Sequence, residues 1–87
     1  MELRECREKL DLIDARIIAL FEERMEISEA VAAYKAEHGL PVLDAAREEE
    51  KRKAVAAQVK EEKNRDAAVE LFDKIMALSR KRQETII

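Results

Sequence analysis

The stretch from Leu3 to Lys35 contains neither glycine nor proline, and it constrains everything that follows it. Its apolar residues recur on a heptad: Leu3, Cys6, Leu10, Ile13, Ile17, Leu20, then position 24, then Ile27, Val31 and Tyr34. That spacing predicts one long helix of about 33 residues, roughly 50 Å at 1.5 Å per residue. Such a rod cannot bury its own seam. Position 24 is Arg24, and a buried guanidinium is costly unless an anion meets it. The adjacent column, Arg7, Asp14, Phe21, Ser28 and Lys35, runs a polar line beside the apolar one, so Arg24, Ser28, Val31 and Lys35 share a face. On this helix alone, a register-setting polar residue in a coiled coil fits as well as an inward anion site.

A chain of 87 residues makes a single domain, 1–87, in which burial of apolar surface only marginally offsets chain entropy, so self-association is expected. Helix is expected throughout: 43% of residues are charged, and there is one glycine, one proline and no tryptophan. A net charge of −3 argues against a general nucleic-acid binder, whose affinity needs a basic surface to displace counterions. Any anion must therefore meet a local pocket. A single cysteine cannot form an internal disulfide, and Cys6 on the seam reads as a small buried hydrophobe in a reducing compartment. With no leader-like N-terminus and no apolar run near about 18 residues, a soluble, cytoplasmic protein without a membrane partner is expected.

The boundaries follow from a few residues. Helix one is expected over about 3–36 and a loop over 37–44, where Gly39 suits a left-handed helix end and Pro41 stops the helical ladder. Asp44 is placed to cap helix two, about 45–60, whose large apolar anchors are only Val55 and Val59. Counting back by fours and threes from Val59 brings Lys51, Glu48 and Asp44 to the same inward face. A charged connector, 61–65, precedes helix three, about 66–86, capped by Asp66. Its inward stripe is Val69, Phe72, Ile75, Met76, Ser79, Gln83 and Ile86, with Arg80, Lys81 and Arg82 pointing elsewhere.

Each helix thus carries polar residues at inward positions: Arg24, Ser28 and Lys35, then Glu48, then Ser79 and Gln83. Two cations, a carboxylate and neutral donors suit a small polyanion that also carries a hydroxyl. His38 sits alone in the loop, so no metal set and no Cys/His pair is expected. Binding, or catalysis by electrostatics and orientation, remains.

The chain resembles the all-helical chorismate mutases. The resemblance is carried by Arg7 with Ile13-Asp14, Arg24-Met25, Val31-Ala32-Ala33-Tyr34-Lys35, Gly39-Leu40-Pro41-Val42, Asp44-Ala45-Ala46-Arg47-Glu48, and Ser79-Arg80-Lys81-Arg82-Gln83. Each piece is weak alone; their order around a Gly-x-Pro loop is specific. The resemblance implies an all-α homodimer of intertwined three-helix subunits that converts chorismate to prephenate, toward phenylalanine and tyrosine, without cofactor or covalent intermediate. It further implies that Arg24 and Arg7 bind the two substrate carboxylates, Arg7 coming from the other subunit. That origin agrees with geometry, since Arg7 lies 28 residues before Lys35, about 42 Å along one straight helix. Lys35 and Gln83 are implied to donate to the ether oxygen. Glu48 is implied to accept from the ring hydroxyl with help near Asp44, Arg47 and Ser79 to assist carboxylate binding, and Val31 to wall the ring. Helix two is poorer in large apolar residues than this family usually is, which predicts loose packing behind Glu48. With the chain ending at Ile87, no regulatory, dehydrogenase or dehydratase segment is expected.

Two other readings fit part of the pattern. Isochorismate pyruvate lyases share the helical architecture and use similar arginines and a lysine. A non-enzymatic coiled-coil interaction module would use Arg24 and Gln83 only to specify pairing.

Overall fold

The computed structural model describes residues 1–86; Ile87, the last position of the expected 1–87 domain, lies outside the described residues. The fold is all-α: α1 (Leu3–Glu37), α2 (Ala45–Gln58) and α3 (Arg65–Glu84), with one 3₁₀ turn, Glu62–Asn64, leading into α3. No strand occurs among the described residues.

Nothing in α1 interrupts its hydrogen-bond ladder until Gly39, and there the chain turns by two main-chain bonds. The Leu40 N–H donates to the Lys35 carbonyl at 2.8 Å and the Gly39 N–H to that of Ala36 at 3.5 Å. This pair satisfies carbonyls that the helix end would otherwise leave orphaned, and it needs the left-handed backbone that Gly39 supplies at φ +66°. Pro41 then keeps the chain out of the helix. The Asp44 carboxylate accepts from the Arg47 N–H at 3.0 Å and starts α2.

Three expected boundaries move. Helix α2 stops at Gln58, short of Lys60, because Val59 turns extended at ψ 122°. Arg65 then donates its Nε to the Ala56 carbonyl at 3.2 Å. Asp66 is not the cap of α3: the helix begins one residue earlier, behind Asn64, which makes no side-chain cap bond, and Asp66 lies in the first turn facing the helix dipole. At the other end the Thr85 hydroxyl donates to the Arg82 carbonyl at 2.7 Å and closes α3 at Glu84. Ile86, expected on the inward stripe, is consequently 45% exposed.

Helix α3 packs against both α1 and α2, which do not pack on each other. The buried apolar residues are Met25, Ala32, Val55 and Met76, with Ser28, Ser79 and Gln83 buried among them. Ion pairs at the rim join the same helices: Arg82 to Glu29 of α1 at 2.9 Å, and Arg52 of α2 to Asp73 at 2.6 Å. The face of α1 turned to α3 holds Met25, Ser28 and Ala32, so the heptad seam points away from the chain's own core. Every residue from Asp11 to Leu20 is exposed, and Cys6 is only half-buried.

The consequence is measurable in shape. The chain exposes 7073 Å², against about 5,200 Å² for a compact monomer of its mass. Its radius of gyration is 15.9 Å, against about 12 Å expected for this length. No described helix is long and apolar enough to cross a membrane.

A Cβ at Gly39 would meet nothing within 4 Å, so the cost of adding one there is purely conformational. Gly39→Ala is expected to lose about 1 kcal/mol of stability through the left-handed backbone alone, read as a lowered denaturation midpoint with an unchanged denaturant slope. An unchanged midpoint would show that the loop relaxes into another turn.

Candidate active site

One cleft opens where the C-terminal half of α1, the loop, the start of α2 and the end of α3 meet. Its volume is about 140 Å³, and its walls include Arg24, Val31, Lys35, Asp44, Arg47, Glu48, Ser79 and Gln83. Helical spacing explains the convergence: Arg24, Val31 and Lys35 follow one another at seven and four residues, as Ser79 and Gln83 do at four. Arg7 is not in the cleft; it stands exposed on the projecting end of α1.

Lys35 lies deepest in the hydrogen bonding. Its Nζ donates to the Val42 carbonyl at 2.6 Å and to Gln83 Oε1 at 2.9 Å. Gln83 Nε2 in turn donates to Ser79 Oγ at 3.2 Å, and Ser79 Oγ lies 2.7 Å from Ser28 Oγ. Ser28 completes the line by donating to the Arg24 carbonyl at 3.0 Å. Among the described residues no buried side-chain nitrogen or oxygen is left without a partner. Ser79, which the resemblance assigns to a substrate carboxylate, has both neighbours of its hydroxyl inside the protein.

Arg80 also lines the cleft, which corrects the expectation that it points elsewhere. Both carboxylate oxygens of Glu48 accept from Arg80 Nη1. A second guanidinium stands behind, with Arg52 Nη2 3.6 Å from Glu48 Oε1. The expected loose packing at Glu48 is therefore answered by ion pairing, not apolar contact: its side chain is 13% exposed and Arg80's 32%. Hydrogen bonding to Asp73, with help from Glu49, raises the Arg52 pKa above its ordinary value, so Arg52 stays charged at any working pH. The missed signal for Arg80 is that it follows Met76 by four and precedes Gln83 by three, flanking the stripe to which both belong. Lys51, Val42 and Met76 complete the lining; Lys51 is on the expected inward face without an assigned role.

The cleft thus sets five cations, Arg24, Lys35, Arg47, Lys51 and Arg80, against Asp44 and Glu48. In a chain of net charge −3 this is a local inversion of sign, which favours a small polyanion over an extended one. Among the described residues no group of three or more His, Cys, Asp or Glu side chains is placed to hold a metal ion.

Fold and cleft together define an all-helical domain with one cation-rich cleft. The chain matches the chorismate mutase type II family over residues 6–84, nearly its full length, and it belongs to that family. Comparison with curated proteins and with solved structures gives no match.

A double-mutant cycle on Arg80→Ala and Glu48→Gln should return a coupling of about 1 kcal/mol, discounted for the partial exposure of the arginine. The same cycle on Arg47 and Glu50, 3.7 Å apart and mostly exposed, should return almost none. Equal couplings would mean that the cleft does not shield the first pair.

Proposed function

We propose that this protein is an active chorismate mutase, working as a homodimer in aromatic amino-acid biosynthesis in the cytoplasm. Membership of the family supports the activity. The observation that carries the reading is the pairing of Lys35 with Gln83 at 2.9 Å inside a cationic cleft. The ammonium has three protons and uses two, and the carboxamide nitrogen has two and uses one. One donor from each is left for a ligand atom placed between them.

The rearrangement is intramolecular: the ether C–O bond breaks as a C–C bond forms, and negative charge gathers on the ether oxygen. Two tasks follow, holding the compact conformer and meeting that charge. Lys35 and Gln83 meet the charge. Arg24 and Arg47 take substrate carboxylates, together with Arg7 from a second copy, because Arg7 of the same chain stands outside the cleft. The exposed seam of α1 supports such pairing, since an antiparallel partner would cover it and bring its own N-terminal end to the site. Glu48 accepts from the ring hydroxyl through lone pairs not aimed at Arg80, Asp44 flanks it at the head of α2, and Val31 walls the ring. The chemistry needs no cofactor.

Lys35→Ala should lower kcat for prephenate formation by about two to three decades, the usual loss for one preset donor to a developing oxyanion, while the chain stays folded and dimeric in sedimentation. Near-normal turnover would remove Lys35 from its role, and release of pyruvate from isochorismate with no prephenate from chorismate would move the assignment to the lyases. Arg7→Ala and Arg24→Ala should each be inactive alone and recover a fraction of activity on mixing; none after confirmed subunit exchange would refute a shared site.

A further inference from the structure

Ser28 lies on α1 behind the cleft, buried at 6% exposure, and the reading above gives it no task. Yet it stands at one end of a hydrogen-bonded line whose other end is Lys35. We propose that Ser28 is a positioning residue that orients, through Ser79, the carboxamide of Gln83, so that one amide N–H faces the cleft beside Lys35.

One direction along the line satisfies every group in it. The Arg24 carbonyl can only accept, so the single proton of Ser28 is spent on it at 3.0 Å. In the 2.7 Å contact between the hydroxyls either oxygen can donate, and with the Ser28 proton on the Arg24 carbonyl the donor is Ser79. With its own proton spent, Ser79 can only accept from Gln83, which requires the carboxamide nitrogen on that side, 3.2 Å away. The ammonium of Lys35 can only donate, which requires the carboxamide oxygen on the other side, 2.9 Å away. Both ends demand the same orientation. Ser28, Ser79 and Gln83 are all buried, at 6, 8 and 6% exposure, so bulk water does not compete for these bonds.

Remove the Ser28 hydroxyl, and the Ser79 proton loses its acceptor on α1. It then turns without a fixed partner, and the carboxamide nitrogen of Gln83 loses a preset acceptor while its oxygen stays on the ammonium of Lys35. The donor offered to the cleft becomes intermittent.

The effect on rate rests on the mutase reading, whereas the orientation of Gln83 does not, so the test carries two readouts. Ser28→Ala should lower kcat about tenfold, the scale of one hydrogen bond, with KM within about twofold of wild type. In the nuclear magnetic resonance spectrum, the two Gln83 side-chain amide protons should stand away from free-glutamine shifts in the wild-type chain and move toward them in Ser28→Ala. Ser28→Thr, which keeps a hydroxyl able to donate to the Arg24 carbonyl, should restore both readouts. Unchanged kcat or unchanged Gln83 resonances in a folded Ser28→Ala protein would overturn the proposal, as would free-glutamine shifts for both Gln83 amide protons in the wild type. A wild-type chain that makes no prephenate overturns the mutase reading instead, and the Gln83 resonances alone then decide the orientation.

Discussion

The ammonium of Lys35 ties the end of α1 to the loop that follows it and to the far end of α3. It leaves the last turn of α1, where the helix dipole already favours a positive charge, and donates across the turn to Val42 and across the bundle to Gln83. A half-buried charge is costly unless its protons are met, and these partners offset that cost. Holding Val42 sets the path of the loop to Asp44, and Asp44 starts α2, so the placement of Arg47 and Glu48 descends from the same contact.

Around that point the chain builds a core that is small and partly polar. Four buried apolar side chains, Met25, Ala32, Val55 and Met76, surround three buried polar ones, Ser28, Ser79 and Gln83. Buried polar groups are costly unless every one is paired, and here each finds its partner along a single line from the Arg24 carbonyl to Lys35. Such a core favours one arrangement of α1 against α3 more than it favours folding as such. The apolar surface that would normally drive folding sits instead on the outer face of α1, in the excess of exposed area over that of a compact monomer.

Much of this architecture was legible in local chemistry. Gly39 has the left-handed backbone expected of a glycine before Pro41, and the Asp44 carboxylate caps α2, because turn and cap chemistry depend on near neighbours alone. Arg24, Lys35, Glu48, Ser79 and Gln83 were read as inward from helical spacing, and they line one cleft. Asp66 was misplaced because Asn64 and Asp66 both suit a helix start, and the 3₁₀ turn at Glu62–Asn64 decided between them. Spacing sets Arg80 outside the inward stripe, but a long side chain at the edge of a stripe can face either way. What turned it inward was Glu48, which lies on another helix.

The order of residues by itself determined three helices, their breaks, and which side chains share a face, since those depend on interactions within a few residues along the chain. Which face turned to which helix, and which donor met which acceptor, was decided only in the folded chain. Spacing put Ser28 on the inner side of α1, but its hydroxyl has a partner across the bundle only because Ser79 of α3 lies 2.7 Å away. A charge or a hydroxyl is ambiguous until its partner is fixed in space, and here those partners lie dozens of residues away in sequence.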